Sequence, residues 1–180
     1  MNKIEYITDI AGKLKDLKRT GWIKRNIPSP ESVADHSFSV VLLTLLLCPK
    51  ELDKLKCLEL AIVHDIQESI VGDIVTVYSD NDEICRKDAQ EMDAIKDIAE
   101  KLKHPQLLDL FKEHQENQTP EAQFVNGIDK LEACLQAKYY VENKLAPPLL
   151  FEEFQKNAII NPKTKDKEIK KLITDLSLQP

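Results

Sequence analysis

Apolar residues recur every three or four positions along most of the chain. Ile4, Ile7, Ile10, Leu14 and Leu17 set that spacing at the start and predict a helix over 2–18. Gly21, Pro28 and Pro30 interrupt the pattern, and 20–30 reads as a loop. A second helix is predicted over 31–47, with Ser29 as its N-cap and Pro30 at its first position. From Val40 onward its apolar positions run nearly all round, which predicts a central, buried helix stopped by Pro49. A third helix starts near 51, carries Leu52, Leu55, Leu58 and Ile62, continues through His64 and Asp65, and ends before Gly72.

The segment 73–82 reads as a loop, in which Ile74, Val75 and Val77 could form a short extended piece. Ile84, Met92, Ile95, Ile98 and Leu102 predict a helix over 83–102, followed by a short one over 106–114. Thr119 and Pro120 open a long helix to about 143, with Phe124, Ile128, Leu131 and Leu135 facing inward. Pro147 and Pro148 break it, and two short helices are predicted near 149–158 and 165–177. No repeat, low-complexity tract or linker divides the chain. The expected architecture is all-α: a single domain over 1–180, with a core at roughly 17–145 and the helices of 149–177 packed on it.

Composition narrows the class. The chain has 180 residues, 42% hydrophobic and 31% charged, enough apolar content for a globular core. Only 4 glycines and 6% aromatics argue against a turn-rich β sandwich or barrel. A net charge of −6 disfavours a general nucleic-acid coat, which needs a broad basic surface. Lys13, Lys15, Lys18, Arg19, Lys24 and Arg25 run against that average, with Asp16 the one acid among them. They suit a solvated helix face or a local site for one phosphate. Cys48, Cys57, Cys85 and Cys134 form no C-x-x-C pair and read as reduced cysteines of a cytosolic protein. The N-terminus shows no secretory apolar region, and the run 40–48 is far short of the roughly 20 residues that span a bilayer. A soluble, cytoplasmic protein is expected.

Four positions place metal-type ligands inside apolar helical sequence. His36 precedes the apolar run, His64 and Asp65 follow Ala61-Ile62-Val63, and Asp129 lies between Ile128 and Leu131. A buried ionised Asp costs several kcal/mol unless it is paired or coordinates a cation. Two imidazoles and two carboxylates on one divalent ion resolve that cost together. Mixed N/O ligation suits Mn²⁺, Fe²⁺, Co²⁺, Ni²⁺ or Zn²⁺, and Mg²⁺ is also admitted. Taken singly, each of these residues fits an ordinary structural role; the combination is what points to a cation. Glu68 stands four residues after His64, on the same helix face, where it could serve as a general acid or base. The spacing H-D-x-x-E is not the H-E-x-x-H of zinc metalloproteases. Asp73, after Gly72, could cap the loop or hold a substrate hydroxyl. His104 and His114 read as surface residues.

The order His36, His64-Asp65, Asp129 resembles the H…HD…D pattern of HD-domain metal-dependent phosphohydrolases. The chain is most similar to the compact HD-domain 5′-deoxynucleotidases. The residues that carry this are 17–22 (LKRTGW), Arg25-Asn26, 30–37 (PESVADHS), 64–68 (HDIQE), Gly72-Asp73-Ile74 and 129–132 (DKLE). The resemblance implies a compact helical HD bundle with the metal site between helices, and His36, His64, Asp65 and Asp129 as ligands of one divalent cation. It implies Glu68 as the catalytic carboxylate and Asp73 as the reader of the sugar hydroxyl. It places Arg19 on the phosphate and Trp22 by the sugar or base. In the bacterial subgroup the arginine and tryptophan are adjacent, whereas here Thr20-Gly21 separates them, and Arg25 is the rival phosphate contact. The implied activity is removal of the 5′-phosphate from deoxyribonucleoside 5′-monophosphates, by a homodimer acting on a small-molecule substrate, with neither nucleic acid nor membrane as partner. The alternatives are an HD-domain phosphodiesterase or hydrolase of another nucleotide and, less favoured, a helical adaptor that keeps a structural metal.

Overall fold

The computed structural model describes residues 2–75 and 81–178. Ten helices and no named strand occur among them, an all-α fold. They are α1 (Lys3–Asp16), α2 (Thr20–Ile23), α3 (Val33–Leu47), α4 (Lys54–Val63), α5 (Glu68–Val71), α6 (Asn81–Leu102), α7 (Gln106–Glu116), α8 (Pro120–Glu142), α9 (Leu149–Ile160) and α10 (Lys167–Asp175). The chain divides into two compact units, one of Met1–Ser37 with Ile62–Lys112, the other of Phe38–Ala61 with Glu113–Pro180.

In the first unit, α1 starts on a capping box. Asn2 Oδ1 accepts from Glu5 N, and Glu5 Oε2 accepts from Asn2 N. Its inward face meets α6: Tyr6, Ile98 and Leu102 are buried together, with Ile10, Ile66 and Leu107 against them. A second cluster joins Val63, Ile95 and Phe111, with Ile66, Met92 and Leu107 packed on it. Ile66 belongs to both clusters, so the turn that carries His64 and Asp65 is anchored from below by core packing.

In the second unit α8, α9 and α10 pack on one another. Thr119 caps α8 through Ala122 N, with Pro120 in its first turn. Gly127 lets α10 approach: a Cβ there would stand 3.1 Å from the Ile169 side chain. Asp166 caps α10 through Ile169 N. His114, expected on the surface, is buried, and its carbonyl accepts from Asn126 Nδ2.

Five element readings are corrected. The 20–30 loop contains the short helix α2. The second helix begins at Val33, not 31, and its cap is Ser32, not Ser29. Ser32 Oγ accepts from Asp35 N, while Ser32 N and Oγ both donate to Asp35 Oδ2 at 2.8 and 2.7 Å. That reciprocal S-x-x-D box outweighs the Ser-Pro signal upstream. The third helix is not continuous. α4 ends at Val63, residues 64–67 turn with i→i+3 bonds such as Ile66 N to Val63 O, and α5 begins at Glu68. Helix α3 is not sunk on all sides. Val40 and Thr44 are buried, but Phe38 and Leu46 are each 69% exposed, and Leu42 and Leu45 are exposed beside them. Apolar periodicity alone does not separate a helix covered all round from one that keeps an apolar face outward. Ile74 and Val75 form no strand, and Val77 lies outside the described residues.

Candidate active site

The site is built on a short backbone splice. Arg19 N donates to Glu31 O at 3.0 Å and Val33 N to Leu17 O at 2.8 Å, an isolated antiparallel bridge centred on Lys18 and Ser32. It ties the segment bearing Arg19 to the start of α3, four residues before His36. Trp22 adds a side-chain tie: its Nε1 donates to Glu31 Oε1 at 2.8 Å. The indole is 2% exposed, so its ring lies in the core. Arg25 Nη1 donates to Gly21 O at 2.9 Å, back onto α2.

His36 projects from the second turn of α3, and His64 and Asp65 project from the turn that follows α4. His36 Nε2 and His64 Nε2 are 3.4 Å apart. Asp65 Oδ2 is 3.1 Å from His64 Nε2 and 3.7 Å from His36 Nε2. Both rings are buried. Arg19 Nη1 reaches Asp65 Oδ2 at 3.5 Å. Burial by itself would raise the Asp65 carboxyl, but His64, His36 and Arg19 together hold it well below the usual carboxylate range. Three ligand-type atoms that lie within 4.8 Å of one another, two of them imidazole nitrogens aimed at each other, are the donor set of a divalent cation. The residues present fit such an ion.

Glu68 opens α5 and is buried. Its Oε2 accepts no hydrogen bond from the protein. Burial, then the charges of Asp65 and Asp73, push its carboxyl up to about 10, against weaker opposing pulls from Arg19 and Lys87. Gly72 closes α5 with φ of 82°, a left-handed conformation that glycine adopts without strain. The chain thereby turns sharply and presents Asp73 to Thr20: Thr20 N donates to Asp73 Oδ2 at 2.5 Å, and Thr20 Oγ1 donates to Asp73 O at 2.8 Å. Asp129 sits on α8, in the second unit, buried, its Oδ2 accepting from Lys130 Nζ at 2.6 Å.

The structure thus brings His36, His64, Asp65 and Arg19 together and sets Glu68 within electrostatic reach of Asp65, Asp73 and Arg19. Two residues at this site escaped the reading of the sequence. Glu31 receives the indole of Trp22, and Thr20 holds Asp73. Thr20 and Asp73 are 53 residues apart and Trp22 and Glu31 nine, and nothing in local spacing announces either pairing.

The HD domain family model matches residues 11–171. The 5′-deoxynucleotidase HDDC2 of Danio rerio is 36% identical over 157 residues, which cover 86% of this chain and 78% of that protein. The 5′-deoxynucleotidase HDDC2 of Homo sapiens is 34% identical over 173 residues, 94% of this chain and 82% of that protein. Among solved structures, the PH0347 protein from Pyrococcus horikoshii OT3 superposes with a TM-score of 0.75 at 36% identity, covering 96% of this chain and 94% of that one.

Proposed function

The chain belongs to the HD domain family, and from that premise we propose that it removes the 5′-phosphate from deoxyribonucleoside 5′-monophosphates, giving a deoxynucleoside and phosphate. Relatives named 5′-deoxynucleotidase support the reaction class. The observation that carries the reading is the buried convergence of His36, His64 and Asp65 with Arg19 on the same carboxylate. The family match over 11–171 supports treating 1–180 as one functional domain.

His36, His64 and Asp65 would hold the cation, and Asp129 is the proposed fourth ligand on its place in the H…HD…D order alone. When bound, a divalent ion polarises a phosphoryl oxygen and makes water a better nucleophile. Arg19 draws the phosphate toward the Asp65 side of the site and offsets charge that grows on the phosphoryl oxygens. Arg25, held on α2, adds to the positive field there. Water attacks phosphorus, the bond to the 5′-oxygen breaks, and that oxygen takes the proton of Glu68 Oε2. A carboxyl kept protonated by burial is suited to that donation, and it recovers its proton from the attacking water. Asp73 accepts a hydrogen bond from the sugar 3′-hydroxyl. Trp22 acts through Glu31, fixing α2 and with it the backbone beside Arg19.

The exposed stripe of Phe38, Leu42, Leu45 and Leu46 on α3 supports a homodimer in which a second copy covers that face. The cysteines are free, which supports a reducing, cytoplasmic setting. Among the described residues no helix is long and apolar enough to cross a membrane.

The test is phosphate release from a panel of 5′-dNMPs, 5′-NMPs, 3′-monophosphates and bis(p-nitrophenyl) phosphate. Metal-stripped protein receives Mn²⁺, Co²⁺ or Mg²⁺, with Asp65→Ala as control. Metal-dependent release from 5′-dNMPs, absent in the control, is the expected result. Diester cleavage without dNMP turnover would move the chain to a phosphodiesterase. No release from any substrate, with metal tightly held, would make it an adaptor.

A further inference from the structure

Asp73 is held by one residue from two directions. The Thr20 amide takes the carboxylate oxygen Oδ2, and the Thr20 hydroxyl takes the main-chain carbonyl of the same residue. These two bonds join segments 53 residues apart in sequence. On one side, Thr20 directly follows Arg19, whose backbone is fixed to Glu31 and whose guanidinium meets Asp65. On the other, Asp73 directly follows Gly72, the sharp turn that ends the helix opened by Glu68. Thr20 therefore fastens the phosphate-facing arginine to the segment that carries Asp73.

We propose that Thr20 is a positioning residue that sets the reach of Asp73 toward the sugar hydroxyl. The inference rests on the deoxynucleotidase reading. With Oδ2 committed to the Thr20 amide, Oδ1 is the oxygen that meets the 3′-hydroxyl. With the carbonyl committed to the Thr20 hydroxyl, the carboxylate cannot swing away by rotation of the backbone after Gly72. The distance between the phosphate contact and the sugar contact is then fixed by one residue, before substrate arrives. Preorganised hydrogen-bonding groups of this kind avoid an ordering cost on binding. Thr20 touches neither the reacting atoms nor the cation ligands; it acts through Asp73.

The test compares wild type, Thr20→Val, Thr20→Ala and Thr20→Ser, each loaded with the activating cation. KM and kcat are measured for a 5′-dNMP, and Ki for the matching 2′,3′-dideoxynucleoside 5′-monophosphate, which lacks the hydroxyl that Asp73 reads. Melting temperature and bound metal are measured in parallel. Loss of one hydrogen bond that orders a contact predicts a KM about tenfold higher in Thr20→Val, with kcat within about twofold. The Ki of the dideoxy compound stays unchanged, and Thr20→Ser, which keeps the hydroxyl, restores the KM. Should Thr20→Val fail to fold, Thr20→Ala carries the same expectation. KM and Ki rising together would make Thr20 merely structural and overturn the proposal. An unchanged KM in both hydroxyl-free variants would overturn it as well. If wild type releases no phosphate from any dNMP, the deoxynucleotidase reading falls and the proposal falls with it; if wild type turns over and the variants match it, only the role of Thr20 falls.

Discussion

His36 Nε2 and His64 Nε2 face each other at 3.4 Å, both buried, with Asp65 Oδ2 beside them. A neutral imidazole pair could share one proton along that line, but the carboxylate would then have two rings and Arg19 to answer. A cation answers all three lone pairs at once. The expected outcome is that His64→Asn and Asp65→Asn each lower bound metal, measured by elemental analysis after dialysis, by at least tenfold in affinity. Phosphate release should fall in parallel. Chelation of wild type should lower its melting temperature, since a ligand that binds the folded state alone stabilises it by mass action. Wild-type metal content in both variants would remove these residues from the site.

Glu68 should weaken the metal-free protein. Its carboxyl is raised to about 10 from an ordinary 4.5, first by burial and then by Asp65 and Asp73. Below about pH 4.5 the group is neutral in folded and unfolded chains alike, and it carries no penalty. As pH rises above that, the unfolded chain ionises while the folded one resists, so stability declines toward pH 10. Glu68→Gln lacks this titration. Melting of the metal-free proteins between about pH 5 and pH 9 should show the variant gaining on wild type as pH rises. Each kcal/mol corresponds to roughly 2–4 °C for a chain of this size. The same variant should lose nearly all phosphate release, the exchange of stability for function expected at an active site. A gap that stays constant or shrinks with pH would contradict the assignment of Glu68 as the strained group.

The all-α class and most helix positions were legible because 3.6-residue periodicity is local and repeated, as in α6 and α8. The order of His36, His64-Asp65 and Asp129 pointed to one metal site; His36, His64 and Asp65 stand together, while Asp129 lies on α8 in the second unit. The break between α4 and α5 was not legible, because Leu58, Ile62 and Ile66 continue a helical period through a turn whose purpose is to aim His64 and Asp65. The outward face of α3 was hidden by the same cause: Phe38 and Leu46 are as apolar as Val40, and only packing distinguishes them. The resemblance placed Trp22 by the sugar or base; its indole is buried and donates to Glu31, a partner nine residues on that local spacing does not announce.

The exposed stripe on α3 leads to an expectation about assembly. Phe38, Leu42, Leu45 and Leu46 recur at helical spacing on one face, and burying them would remove several large side chains from water. Light scattering with size exclusion should give a dimer for wild type and a monomer for Leu46→Glu combined with Phe38→Glu. Circular dichroism should show helix content retained, because neither side chain contributes to a core. A double variant that stays dimeric would place the interface elsewhere.

The cap of α3 should control the metal ligand behind it. Ser32 is the N-cap and Asp35 the third helical residue, so His36 is the first side chain after the box. The hydrogen bonds from Ser32 amide and hydroxyl hold the Asp35 carboxyl below its ordinary value. A lowered carboxyl stabilises the fold above its unfolded pKa and loses that contribution as pH falls through the folded one, so the box weakens only in acid. Ser32→Ala removes the hydroxyl from both of its bonds. Loss of such a cap typically costs about 1 kcal/mol, which predicts a melting temperature lower by roughly 2–4 °C. Because Ser32 also lies in the backbone bridge to Lys18, fraying there loosens His36 and Arg19 together. The variant should therefore bind metal more weakly and show a raised KM, whereas a surface cap far from the site would change stability alone. A full loss of stability with unchanged metal affinity would show that the first turn of α3 does not set the position of His36.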